Sequence, residues 1–174
     1  MTEDDEESFR EFALAALPQL RRVAVAQVRD GHRADDLVQM TLEKLYVDWR
    51  RIKRQARDPF AYARRVLVNT LVSDSRRLRW HREVSVTDAG ESARVEDATG
   101  QVDLRTDLGA ALDALPPRQR LTVVLRFVED LSVTQTAALM GCSEGTVKSA
   151  TNAARGTLRE LLGEPVTTMK GWDA

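Results

Sequence analysis

The run SVTQTAALMGCSEGTVKSATNAARGTL, residues 132–158, constrains the fold more tightly than any other stretch. Ser132 or Thr134 can cap a helix that carries Ala137, Ala138 and Leu139. Gly141 follows Ala137 by four positions and tolerates the positive φ of a tight turn. Ser143 can cap a second helix, in which Val147, six positions past Gly141, points back inward. A small residue, a turn glycine and an inward apolar residue at these spacings describe two helices crossing closely through a short turn. An ordinary helical hairpin also satisfies the periodicity. The second helix, however, opens with Ser-Glu-Gly-Thr and is expected to carry Lys148, Ser149, Thr151 and Asn152 on its outer faces. Short polar side chains there suit contact with base edges and phosphates in a major groove. Thr146, Lys148, Ser149 and Asn152 are the candidates for direct contact, with Arg155 in reach of a phosphate. Cys142 reads as a small core residue.

The remaining chain is helical in pattern, with no strand alternation, so the expected fold class is all-α: two small helical domains joined by a flexible acidic linker. Ser8 can cap a first helix bearing Phe9, Phe12, Ala16 and Leu20, with a kink or break expected at Pro18 and an end at Gly31. Asp35 and Asp36 precede a second apolar stripe from Leu37 to Trp49. Asp58-Pro59 marks a third start, running to about Arg79. Leu104 to Leu115 recur at helical spacing until Pro116-Pro117, and Leu121, Val124, Leu125 and Val128 form the next helix. The expected domains are 1–82 and 104–163, with a linker at 83–103 and a tail at 164–174.

A net charge of -1 hides a segregated distribution. The N-terminus is acidic, residues 49–82 are strongly basic, and 83–103 is acidic and lacks an apolar period. Within the basic stretch, Tyr62, Arg65, Asn69, Ser73, Arg76 and Arg77 recur at three- or four-residue spacing along one helix face. Such a stripe fits a strand of unstacked bases, with cations tracking the backbone, or equally a generic basic face or an acidic partner protein. A single cysteine excludes an internal disulfide, and His32 and His81 lack partners at zinc-ligand spacing. No nucleotide-binding, hydrolase or metalloprotease motif occurs. No enzyme activity, cofactor, metal, small-molecule substrate or membrane association is expected, and a cytoplasmic location fits the cysteine usage.

In this combination and order, three segments resemble the sigma-70 family of bacterial RNA polymerase initiation factors, in its compact extracytoplasmic-function (ECF) group. ADDLVQMTLEKLYVDW resembles the family's polymerase-clamp-binding helix, and DPFAYARRVLVNTLVSDSRRLR its −10 reading and promoter-melting helix. LDALPPRQRLTVVLRFVEDLSVTQTAALMGCSEGTVKSATNAARGTLREL resembles its −35 reading domain. The resemblance implies that Asp35, Asp36, Leu37, Val38, Gln39 and Leu42 dock on the coiled coil of the polymerase largest subunit. It implies that Arg64, Arg65, Asn69, Ser73, Arg76 and Arg77, beside Tyr62, engage the −10 strand, and that Thr146, Lys148, Ser149, Asn152 and Arg155 engage the −35 duplex. The implied partners are core RNA polymerase (clamp coiled coil and flap region), promoter DNA and, as in many relatives, an anti-sigma factor.

The chain departs from the family pattern at Ala150 and Ala153, where arginines are frequent, and at Met40, where glutamate is usual. The first departure removes two phosphate contacts; the second removes one charge from the docking helix. The free protein is expected to bind DNA poorly, its acidic ends repelling phosphates and folding over the basic face. The competing reading is a self-sufficient helix-turn-helix repressor or activator, which would grip duplex DNA without polymerase. A purely protein-binding helical adaptor is the third.

Overall fold

The computed structural model describes residues 2–84 and 107–162, with side chains described for 2–77 and 109–162. Helix α1, Glu3–Val28, is capped by Thr2, whose hydroxyl accepts from the Asp5 amide while the Asp5 carboxylate accepts from the Thr2 amide. This reciprocal pair displaces Ser8 as the start. Ser8 lies inside the helix, where its Oγ accepts the Trp49 Nε1–H at 3.3 Å. The helix also runs unbroken through Pro18. Burial of Phe12, Ala16, Leu20 and Val23 on both sides of the proline outweighs the single amide it removes.

Arg29, not Gly31, takes the left-handed conformation that ends α1, at φ 62°. Asp30 then caps α2, Gly31–Gln55, accepting from the Arg33 amide at 3.0 Å. The second helix thus starts a full turn before Asp35. Its buried positions, Ala34, Leu37, Val38, Thr41, Leu45, Trp49 and Ile52, keep helical spacing. Helix α3, Pro59–Val84, opens where Asp58 Oδ1 accepts the Phe60 and Ala61 amides, and passes the expected boundaries at Arg79 and residue 82. An aromatic cluster ties the three together: the Phe12 ring lies 4.7 Å from Trp49 and 5.1 Å from Phe60. The acidic N-terminus lies on the basic end of α2, with Asp4–Lys53 and Asp5–Arg50 pairs at 3.0 Å.

The second unit comprises α4, Asp107–Ala114, and α5, Pro117–Val123, which passes into a π-turn at Val124–Val128. Helices α6, Val133–Met140, and α7, Glu144–Leu162, follow. Ala111, Leu112, Leu115, Val123, Ala154 and Leu158 form its own small core. Leu121, Val124, Leu125 and Leu131 instead join the core of α1, α2 and α3. The two units therefore share packed apolar surface, each buried leucine contributing about 1.5–3 kcal/mol. Polar bonds cross the same boundary: Gln27 Nε2 donates to the Pro117 carbonyl at 3.0 Å, and Arg120 Nη1 to the Gln27 carbonyl at 2.9 Å. All described elements are helical, in agreement with the expected class. The expected linker falls almost wholly, and the expected tail entirely, outside the described residues.

Candidate nucleic-acid interface

The turn between α6 and α7 forms as its residue types dictate. Ser132 caps α6 in a capping box with Gln135. Gly141 closes that helix at φ 60° and ψ 43°, and the Cys142 amide donates to the Ala137 carbonyl at 3.1 Å. Ser143 Oγ then accepts the Thr146 amide at 3.1 Å. Thr134 Oγ1 donates to Glu144 at 2.7 Å, tying the helices across the turn. Ala137 and Val147 are buried at the crossing, as their spacing requires.

This geometry turns one face of α7 outward. Lys148, Ser149 and Asn152 are exposed, and Thr146 and Arg155 are half-buried. The Thr146 hydroxyl lies 2.9 Å from Ser143 Oγ. Thr151 does not belong to that face: it is buried, and its hydroxyl donates to the Val147 carbonyl at 2.9 Å. A hydroxyl can satisfy itself within its own helix, so polarity alone misplaced it. Ala150 and Ala153 leave the outer face short of charge beside Lys148.

On α3, Arg65, Asn69, Ser73, Arg76 and Arg77 are exposed along one stripe, with Ala63, Leu67, Val68 and Leu71 buried opposite. Tyr62 is half-buried at the stripe's start, and its hydroxyl accepts from Arg51 Nη2 at 3.2 Å. Asp48 and Tyr62 together hold the Arg51 guanidinium above its ordinary pKa, the Asp48 hydrogen bond contributing most. Asp74 is taken up by Arg33 at 2.6 Å, which leaves the stripe predominantly cationic. Arg64 stands apart from the stripe. It is half-buried and lies 3.4 Å from Glu129 of the second unit.

The α2 candidates divide. Asp36 and Gln39 are exposed, Leu42 is half-buried, and Asp35 pairs with Arg21 at 2.7 Å. Leu37 and Val38 are core residues, 3% and 2% exposed, so a partner cannot touch them without unfolding the helix. They shape the docking face only from beneath. Two exposed apolar side chains accompany Asp36 and Gln39 instead, Met40 and Val47. Val47 escaped the sequence reading, although positions 36, 40, 43 and 47 alternate by four and three. Among the described residues, no three His, Cys, Asp or Glu side chains gather as a metal site, and no helix is long and apolar enough to cross a membrane.

Family models match both units: Sigma-70 region 2 over residues 12–81 and Sigma-70, region 4 over residues 105–158. The RNA polymerase sigma-E factor of Streptomyces antibioticus is 40% identical over 160 residues, covering 88% of this chain and 84% of that protein. The ECF RNA polymerase sigma factor EcfG of Rhodopseudomonas palustris is 35% identical over 158 residues, covering 90% and 86%. Among solved structures, the sigma factor RpoE of Bartonella quintana, crystallised with the anti-sigma factor NepR, superposes with a TM-score of 0.72 at 31% identity. That match covers 91% of this chain and 99% of the other.

Proposed function

The chain belongs to the sigma-70 family, as an ECF RNA polymerase sigma factor, and from that premise we propose how its two units divide promoter recognition. The second unit reads −35 duplex through Thr146, Lys148, Ser149, Asn152 and Arg155. The first unit takes the −10 strand along Tyr62, Arg65, Asn69, Ser73, Arg76 and Arg77, and docks on core polymerase through the outer face of α2. Asp36, Gln39, Leu42, Met40 and Val47 form that docking face. One observation carries the reading: α3 and α7 each bury one side and expose a polar, nucleic-acid-suited side, in separate units of one chain.

No bond chemistry is assigned to the chain; the family acts as a transcription initiation factor. Extruding and unpairing bases costs a few kcal/mol, and contacts along the α3 stripe offset it. Such work takes place where polymerase and chromosome are, in the cytoplasm. The RpoE structure holds an anti-sigma factor, and this supports a regulator of that kind for the present chain.

Reconstitution with core polymerase on a randomised promoter library tests the reading. Transcripts beginning downstream of one shared two-part motif are expected only when the chain is added. A specific duplex footprint from the chain alone, with no gain in initiation, would establish the repressor reading instead.

A further inference from the structure

Glu129 sits in a setting that promoter recognition as described does not use. Its side chain is 0% exposed. It receives Gln19 Nε2–H at 2.6 Å, Arg22 Nη2–H at 2.7 Å, and lies 3.4 Å from Arg64 Nε. Gln19, Arg22 and Arg64 all belong to the first unit, on α1 and α3, whereas Glu129 belongs to the second. Two guanidinium groups and an amide converging on a single anion form the donor set that proteins also use for phosphate oxygens.

The backbone around Glu129 is as unusual as its partners. The π-turn at Val124–Val128 ends with the Glu129 amide donating to the Val124 carbonyl at 3.1 Å. Asp130 follows at φ 51°, a left-handed conformation outside glycine. The Leu131 amide then donates to the Leu125 carbonyl at 3.1 Å, and Leu131 is buried in the first unit's core. An irregular turn held in place on both sides aims one carboxylate into the other unit.

The anion site adjoins the nucleic-acid stripe. Arg64 is the immediate neighbour of Arg65 on α3, about 100° around the helix. The Glu129 carboxylate also borders a cleft lined by Ala16, Leu20, Phe60 and Ala63, so it is not sealed in solid packing. A strand tracking Arg65, Asn69 and Arg76 therefore passes within reach of the donors that Glu129 occupies.

We propose that Gln19, Arg22 and Arg64 form a binding site for a nucleic-acid backbone phosphate, and that Glu129 fills it in the closed chain as an internal phosphate mimic. Seated there, it latches the second unit onto the first and withholds the site from the −10 strand until the units separate. The inference rests on the reading of α3 as the strand-binding face and adds its regulation.

The test is fluorescence anisotropy of a labelled single-stranded oligothymidine with the full-length chain at low salt, comparing wild type with Glu129→Gln. The variant should bind tighter by about tenfold or more, the scale of a charged hydrogen bond lost from the competing latch. Its salt slope should steepen by about 0.7, one further phosphate contact. Asp130→Asn removes the same charge one residue away and should shift binding by less than about twofold, since that side chain is exposed. Adding Arg64→Ala to Glu129→Gln should cancel the gain. Hydrogen exchange on the unmutated chain gives a second readout that needs no variant to fold: excess oligothymidine should deprotect the Glu129 and Leu131 amides. Equal binding by the Gln and Asn variants, a gain that survives Arg64→Ala, or amides that stay protected would overturn the latch. Initiation with core polymerase is scored separately. A working latch without initiation refutes the family-based role, whereas initiation without a latch refutes only this inference.

Discussion

Gly141 and Gly156 receive the same substitution in one unit, and the structure assigns it opposite signs. At Gly141 the backbone is left-handed, φ 60°, and a Cβ would meet nothing within 4 Å. Gly141→Ala therefore carries no steric clash, only the left-handed penalty of about 1–2 kcal/mol. The stiffer unfolded chain returns about 0.4–1 kcal/mol of that. The net expectation is a loss of about 1 kcal/mol. At Gly156, inside α7, the Cβ also finds open space, but the backbone is helical. Gly156→Ala there should gain about 0.8–1 kcal/mol from helix propensity. The two single variants should thus differ by about 2 kcal/mol, and their urea midpoints should lie on either side of wild type at unchanged m. Urea titration followed by circular dichroism reads both. Midpoints displaced in the same direction would refute the assignment of a left-handed turn at Gly141, and with it the geometry that turns α7 outward.

Other expectations bear on the remaining faces. Leu37→Ala should cost about 2–5 kcal/mol of stability as a core truncation, whereas Met40→Ala should stay within about 0.5 kcal/mol while weakening capture by core polymerase; thermal melts beside a pull-down separate the two. Asn152→Ala should cost about 1–3 kcal/mol of promoter affinity and relax sequence preference at one −35 position, read from holoenzyme on single-base promoter variants. Hydrogen bonds from Thr2 hold the Asp5 carboxyl below its ordinary pKa. A depressed folded pKa stabilises above the unfolded value, so the α1 cap should persist at neutral pH and be lost as pH falls through the folded pKa, below about 4. Thr2→Val should raise the Asp5 titration midpoint in an NMR pH series, and an unmoved midpoint would remove Thr2 as the cause.

What could be read from the sequence follows how local each determinant is. Gly141, Ser143 and Val147 act within ten residues of one another, and their types leave few alternatives, so the turn and the buried side of α7 were legible. Caps were less so, because several candidates compete: Thr2 with Ser8, and Asp30 with Asp35 and Asp36. The winners are those whose partner at the third helical position closes the bond, Asp5 and Arg33. Pro18 read as a break because propensity favours one, yet apolar contacts on both sides hold the helix straight through it. Leu37 and Val38 lie within the stretch resembling a docking helix, and only packing against α1 and α3 reveals that they support the surface without forming it. Glu129 was illegible altogether. Its three partners lie 65 to 110 positions away, and nothing in FVEDL signals a carboxylate aimed at another unit.

The turn at Val124–Val128 holds one residue more than an α-helical turn would. Removing a single codon there would restore ordinary winding and swing all that follows by about 100°. Everything upstream would keep its neighbours, while the carboxylate at 129 would face elsewhere. Insertions and deletions of one residue, usually regarded as damage within a helical segment, would act at this point as a graded control over how firmly the molecule closes on itself, available to descent without exchanging any amino acid.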